Sequence, residues 1–228
     1  MIKPKLVFNP KIMRYIKFSF VVLLFINFSA FSQYKDFGDI TVEMLKQKQS
    51  KLDSTAHAEV LNEKGIISFT FTDQGLVYML ETISRIKIFD KDGYDEANIE
   101  LSYYVGENNV NSEKVKSIDA RTYYLDGDDV EDDKVRNREI YSIEKNNYVK
   151  AKKFTMPNIQ DGVIIEYSYI KESPNIRSLP KWYFQSNIPT HNSEFEVIVP
   201  DDFLSYRSQV RGYYPVDNQI EMEDGRLK

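Results

Sequence analysis

Apolar side chains recur at every second position in several stretches of this chain, and this period limits what the chain can fold into. The clearest stretch runs from Ala97 to Tyr103, where apolar residues alternate with Asn98, Glu100 and Ser102. The other alternating rows are Ala56, Ala58 and Val60; Ile86 and Ile88; Ile118, Ala120, Thr122 and Tyr124; Val163, Ile165, Tyr167 and Tyr169; and Phe195, Val197 and Val199. Successive side chains of a strand point to opposite faces, so each row predicts a strand with one buried and one solvated face.

Asp-Gly dipeptides separate these strands, at positions 92–93, 126–127, 161–162 and 224–225. Asp-Gly accepts the positive φ angles of tight hairpin turns, so these dipeptides favour antiparallel pairing throughout. Parallel pairing would need crossover connections of about a dozen residues or more, usually helical, and no long amphipathic helix separates the strands. We therefore predict an all-β fold, an antiparallel two-sheet β-sandwich formed by residues 55–228.

The first 32 residues have the order of a secretory signal peptide. A stretch with three cations, Lys11 to Lys17, precedes an apolar run from Phe18 to Phe28, and the small residues Ala30 and Ser32 follow. We predict a signal helix that is cleaved between Ser32 and Gln33. Because the apolar run is shorter than the roughly 20 residues that span a bilayer, we expect a periplasmic or extracellular protein without a stable membrane span after cleavage.

The two ends of the mature chain carry further predictions. Residues 33–54 are polar and rich in lysine, and we interpret them as a linker with a short adaptor helix that Thr41 caps and that carries Val42, Met44 and Leu45. At the other end, residues 226–228 start a return strand after Asp224-Gly225. An unpaired strand edge is a liability, so we expect a sandwich that is incomplete at its C-terminus.

Composition excludes several classes of function. The formal net charge is -5 and the sequence pI about 5.3, so the chain lacks the basic surface that nucleic acid requires. It contains no cysteine, which excludes disulfide bonds, a thiolate nucleophile and a lipid anchor on a cysteine side chain. No Gly-x-Ser-x-Gly motif or phosphate-binding loop is present, so we expect no catalytic residues and no cofactor.

Metal-binding patterns are weak in this sequence. His57 and His191 are the two histidines, and neither has an HExxH motif or a second ligand close in sequence. We therefore predict surface histidines and no metal site. The acidic run from Asp126 to Asp133 could supply carboxylates to calcium, but its spacing does not fit an EF-hand loop. The spacing favours a solvated hairpin tip, with calcium binding left open.

An aromatic triplet is the candidate ligand site. Trp182, Tyr183 and Phe184 could form a platform that stacks on sugar rings or peptide. The alternative is that these side chains fill the core, which is the more frequent fate of a single tryptophan in a sandwich.

Several motifs in a fixed order resemble a known family. The most specific are Lys153 to Asn158 (KFTMPN), Gly162 to Tyr167 (GVIIEY) and Trp182 to Gln185 (WYFQ). In this order they resemble the domain of unknown function 3857 (DUF3857), over roughly Thr41 to Lys228. The resemblance implies a β domain that usually precedes a transglutaminase-like domain with a papain-type Cys-His-Asp centre. This chain contains no such centre, so the resemblance transfers no catalytic residue.

The sequence thus favours a non-catalytic, exported accessory module that positions a substrate or binds a protein, with a transglutaminase-like domain as its partner in an intact protein. A free-standing envelope protein that binds a glycan or a peptide is the alternative, and the region of Trp182 would then be its binding surface.

Overall fold

Strands dominate the structure, a computed structural model that describes residues 37–73, 75–200, 209–212, 222–223 and 226–227. The strands are β1 (Ala58–Thr72), β2 (Gly75–Ile88), β3 (Asn98–Tyr104), β4 (Lys114–Asp126), β5 (Asp129–Lys134), β6 (Tyr141–Asn146), β7 (Val149–Thr155), β8 (Ile164–Ser173), β9 (Ser193–Val197), β10 (Val199–Pro200), β11 (Met222–Glu223) and β12 (Arg226–Leu227). The predicted signal peptide and the turn at Asp224-Gly225 lie outside the described residues.

Helices are short in the described part of the chain. The α-helix α1 spans Val42–Lys46, and 3-10 helices span Lys91–Ala97, Glu107–Asn109 and Asn137–Glu139. None of these helices is long and apolar enough to cross a membrane. The predicted adaptor helix is confirmed as α1, because the Thr41 side chain caps it by accepting a hydrogen bond of 3.3 Å from the Met44 backbone N–H.

Two sheets form the sandwich, as predicted. The large sheet has the strand order β5-β4-β8-β2-β1-β9, and the small sheet has the order β3-β7-β6. A third sheet is minimal, with the two-residue strands in the order β10-β12-β11. The main core lies on the face that the large sheet shares with the small one, and it consists of buried residues from both sheets, among them Val60, Ile86, Ile99, Phe154 and Ile165. The alternating rows of the sequence supply all of these side chains except Phe154.

The pairing departs from the prediction at one edge. All neighbouring strands of the two sandwich sheets are antiparallel except β9, which runs parallel to β1 with Glu63 opposite Ser193. The expectation of antiparallel pairing throughout was wrong here, because the irregular segment between β8 and β9 is long enough to serve as a crossover without a helix.

The Asp-Gly turns have three different outcomes. Asp126-Gly127 forms the predicted hairpin between β4 and β5, with φ of 65° at Gly127. Asp161-Gly162 is also a turn with positive φ at Gly162, but it connects β7 of the small sheet to β8 of the large one. The hairpin predicted at Asp92-Gly93 was wrong, because both residues lie in a 3-10 helix that carries the chain from β2 to β3.

The second face of the large sheet is covered, not solvated. The alternation predicted that Glu59, Arg85 and Lys87 point to water, but their side chains are buried. The N-terminal segment, defined as residues 37–46, lies over this face. Its Leu45 packs with Tyr123 and Ile164 in a second apolar cluster, so this part of the large sheet is a middle layer.

Candidate functional site

A polar cleft of about 230 Å³ opens beside the start of β1. It is lined by residues 53 and 55–58, by three residues of the 3-10 helix Lys91–Ala97, and by residues 187–189. A neighbouring cleft of about 420 Å³ shares Asp53 and residues 187–189 with it. The two recesses are together called the cleft, and residues 187–189 of the segment that leads into β9 line both of them.

Strand register determines which side chains meet in the cleft. The β1–β2 pairing sets Ala58 opposite Ile88, which brings His57 next to the residues that follow β2. The Phe89 backbone N–H donates to the His57 carbonyl at 2.9 Å. Gly93 has no side chain, and this allows the 3-10 helix to approach, since a Cβ at Gly93 would collide with the His57 carbonyl oxygen.

His57 forms a hydrogen bond with Asp90 in this cleft, and the contact is an ion pair when the imidazole is protonated. Its Nδ1 lies 2.9 Å from both carboxylate oxygens of Asp90, and Asp90 also caps the 3-10 helix by accepting from the Asp92 backbone N–H at 2.9 Å. The hydrogen bond and charge of Asp90 raise the pKa of His57, and the same hydrogen bond lowers the pKa of Asp90. Both side chains are about half exposed, at 52% and 45%.

Asp92 completes a set of three side chains with metal-ligand chemistry. One ligand atom from each of His57, Asp90 and Asp92 lies within 4.8 Å of the others, and no other such group occurs among the described residues. The prediction of no metal site considered only ligands close in sequence, and these two carboxylates come from beyond the end of β2. Asp90 is 33 residues away in the chain, so only the pairing of β1 with β2 could have revealed the contact.

The remaining walls of the cleft add negative charge. Asp53 accepts from the Thr55 hydroxyl at 2.7 Å and the Thr55 N–H at 2.9 Å, and these bonds lower the pKa of Asp53. Burial, with a smaller contribution from Asp95, raises the pKa of Glu96. The described residues that line the smaller cleft include no lysine or arginine, so its surface is acidic.

The predicted aromatic platform is divided between two environments. Trp182 stacks on Phe195 at a centroid distance of 5.0 Å and an interplanar angle of 16°, and its Nε1 donates to the Ser193 hydroxyl at 3.0 Å. Its ring lies on Gly65, where a Cβ would come within 2.5 Å of Trp182 Cζ3. Trp182 is thus packed against the sheet, and the neighbouring Tyr183 is 72% exposed, while Phe184 is partly buried.

The other sequence candidates lie elsewhere. His191 is exposed, and its Nδ1 lies 3.9 Å from Glu59 Oε1. The acidic run forms the β4–β5 hairpin, as predicted. There Arg121 pairs with Asp132 at 3.0 Å, and Lys46 pairs with Asp128 at the same distance. Lysine and arginine therefore neutralise part of this run.

A buried ionic cluster lies beneath the N-terminal segment. Glu166 accepts two bonds from Arg85, at 2.9 and 2.7 Å, and one from the Gly38 N–H at 2.7 Å. Burial raises the pKa of Glu166, and Arg85 opposes that rise. Lys87, with an exposed fraction of 0%, donates to the carbonyls of Leu45 at 2.7 Å and Gly162 at 2.5 Å, and burial lowers its pKa to about 8.

Comparison with known proteins identifies the family. Residues 81–228 match the family model of DUF3857, a domain of unknown function with a solved structure, and the chain therefore belongs to this family. No curated protein matches the chain.

Solved structures show the fold but no specific function. The chain is similar to a structure described as "a putative protease" from Parabacteroides distasonis, with a TM-score of 0.53, 14% identity, and coverage of 75% of this chain and 34% of that one. This chain thus spans about a third of that protein. A structure described as "a putative nutrient binding protein" from Legionella pneumophila shares 12% identity over 52% of this chain and 40% of that one. Its TM-score of 0.28 is too low to indicate a shared fold.

Proposed function

We propose that this member of the DUF3857 family is a non-catalytic, exported accessory module that binds a peptide or protein and positions it for a protease or transglutaminase-like domain. Family membership supports the domain type. The partial coverage of the similar putative protease supports the module's role, because about two thirds of that protein lies outside the matched region. A fold alone does not define a function, so the chemistry of the cleft and of the segment that lines it is decisive.

The chemistry of the described residues supports a binding role. The chain has no cysteine, and among the described side chains no serine or threonine hydroxyl forms a hydrogen bond with His57 or His191. A nucleophile activated by histidine needs such a contact, at about 2.6–3.2 Å. His57 instead pairs with Asp90 on an open surface.

The observation that carries the proposal is an exposed aromatic side chain, Tyr183, on a segment that is anchored at both ends. Trp182 fixes the start of the segment on Gly65 and Phe195, and backbone bonds of Val60 to Pro189 and of His191 to Val60 fix its end. Tyr183 directly follows Trp182 in the chain, and residues 185–190, which line the larger recess, come next. An exposed aromatic side chain on the same anchored segment as a polar recess is a suitable anchor for a peptide, and the anchoring reduces the entropy lost on binding.

Tryptophan fluorescence provides the test, because Trp182 is the single tryptophan and lies next to the proposed surface. Titration with a panel of unstructured peptides and cell-wall peptides should give saturable changes in emission. Tyr183→Ala should weaken binding by about fivefold or more, the size expected for an interface residue worth over about 1 kcal/mol. Tyr141→Ala is the matched control, because Tyr141 is also exposed but lies on the small sheet.

Two results would contradict the proposal. One is unchanged affinity in Tyr183→Ala for every peptide that binds. The other is hydrolysis or cross-linking of the peptides by the purified chain alone, detected by mass spectrometry, because the module would then be an enzyme.

Glycan binding by a free-standing envelope protein is the second candidate, and a different surface favours it. The exposed rings of Tyr104 and Tyr148 are parallel, with an interplanar angle of 8° and a centroid distance of 6.5 Å. Sugar rings stack on such faces. Titration with soluble polysaccharide fragments, followed by tyrosine ring signals in NMR spectra, would separate this candidate, because Tyr148→Ala should abolish the effect and Tyr183→Ala should not.

A further inference from the structure

We infer that His57, Asp90 and Asp92 form a binding site for a divalent first-row transition-metal ion in the wall of the cleft. The site is independent of the proposed function, since it needs no peptide.

The donor atoms fit such an ion in type. An imidazole nitrogen with carboxylate oxygens is a donor set for zinc, cobalt or nickel, whereas calcium and magnesium prefer oxygen alone. Three protein ligands leave further positions for water or for a ligand group, and the cleft in front of His57 gives them room.

The donor atoms also fit in spacing. Two ligand atoms bound at about 2.1 Å lie about 3.0 Å apart in octahedral coordination and about 3.4 Å apart in tetrahedral coordination. His57 Nδ1 and the Asp90 oxygens are 2.9 Å apart, and the Asp92 ligand atom lies within 4.8 Å of the other two. A small movement of side chains that are about half exposed would therefore admit the ion.

The backbone holds the three residues together before any ion binds. The β1–β2 register, the Phe89 to His57 bond and the close approach at Gly93 fix His57 against the 3-10 helix that Asp90 caps. Preorganised ligands lower the cost of assembling a site. The surrounding charge acts in the same direction, because Asp53 and Glu96 also line the cleft and the described lining has no lysine or arginine.

The test uses cobalt as the probe with purified chain that has been dialysed against a chelator. Addition of Co²⁺ should produce a visible absorption band that saturates at one ion per chain, and Zn²⁺ should remove the band by displacement. Ca²⁺ in excess should leave it unchanged. His57→Gln should abolish saturable binding, and Asp92→Asn should weaken it, while His191→Gln, which removes the other histidine, should bind as the wild type does.

Circular dichroism and thermal unfolding of each metal-free variant distinguish a lost ligand from a lost fold. The side chains of His57 and Asp92 are exposed, so both variants should unfold within a few degrees of the wild type. The inference is overturned if wild-type chain shows no saturable binding of Co²⁺, Ni²⁺ or Zn²⁺. It is also overturned if folded His57→Gln keeps the wild-type affinity, or if His191→Gln alone loses it.

Discussion

Two ionic clusters lie near the open end of the β1–β2 hairpin, one centred on β2 and one just beyond it, and they differ in solvent exposure. The buried cluster has Arg85, Lys87 and Glu166 beneath the N-terminal segment, and the exposed cluster has His57 with Asp90 and Asp92 in the cleft. In the buried cluster the charged groups are hydrogen-bonded to each other or to backbone. In the exposed cluster the carboxylates outnumber the nearby cations. The first arrangement holds layers together, and the second leaves capacity for a ligand.

The largest expected effect comes from breaking the buried cluster. Arg85→Ala leaves the Glu166 carboxylate buried without its guanidinium, and removing one partner of a buried pair costs about 3–5 kcal/mol of unfolding free energy. Urea unfolding followed by circular dichroism measures the loss.

The double variant Arg85→Met with Glu166→Met is the control for this prediction. Replacing both charges by apolar side chains of similar length leaves no unpaired ion, so it should cost much less than Arg85→Ala. Equal losses in the two variants would show that packing volume, not charge, is what the cluster supplies.

A pH effect at Lys87 is expected next. Burial lowers its folded pKa to about 8, below the value near 10.5 in the unfolded chain. Between these values the unfolded state binds more protons, so the contribution of Lys87 to stability rises with pH from about 8 towards 10.

The measurement compares wild type with Lys87→Met between pH 7 and pH 9.5. This range stays below the ionisation of the buried tyrosines, whose raised pKa values would lower stability at higher pH. The stability difference between wild type and variant should change in favour of wild type as pH rises. A constant difference would mean that Lys87 keeps its ordinary pKa in the fold.

The buried cluster also shows what could not be predicted from the sequence. The inward rows were predicted residue by residue, including Ile99, Leu101 and Ile165, because alternation reports burial of one face. Alternation gives no information about a third layer, so Arg85 and Lys87 were assigned to water. Charged residues at alternate positions have the same pattern whether solvent or a backbone segment covers them.

The site was less predictable than the core. The exposure of Tyr183 and the packing of Trp182 follow from a contact with Gly65, which lies 117 residues earlier in the chain. The contact between His57 and Asp90 depends on the register of β1 against β2. Alternation predicts which face a side chain is on, but not which residue of the neighbouring strand lies opposite it. Sequence therefore identified His57 as a surface residue, but not its neighbours.

The exposed cluster gives a smaller, local prediction. In chain kept free of metal by a chelator, NMR titration should show His57 protonated at a pH above 6.5, since Asp90 raises its pKa. The stability that this pair contributes is present below pH 6.5 and is lost as pH rises through the folded pKa. Asp90→Asn should return the His57 pKa towards 6.5. A His57 pKa at or below 6.5 in wild type would exclude the ion pair.

The smallest expected effect is at the β4–β5 hairpin. Lys46 and Asp128 form a salt bridge of 3.0 Å, but the Asp128 side chain is 91% exposed. Exposed pairs contribute about 0.2–1 kcal/mol at most, so Asp128→Ala should change thermal stability by a degree or two in low salt and by less in high salt. A loss close to that of Arg85→Ala would contradict the contrast between buried and exposed charges.

The docking of Gly38 onto Glu166 has a consequence for the order of folding. These two residues are 128 positions apart, and Glu166 acquires its place only when β8 has paired with β2 and β4. Contacts of such long sequence separation form late, because closing a long loop costs conformational entropy before the contact contributes any stability. The stretch that leaves the ribosome before any strand of the sandwich therefore reaches its native position late, and hydrogen exchange should find that it opens more readily than β2 and β8.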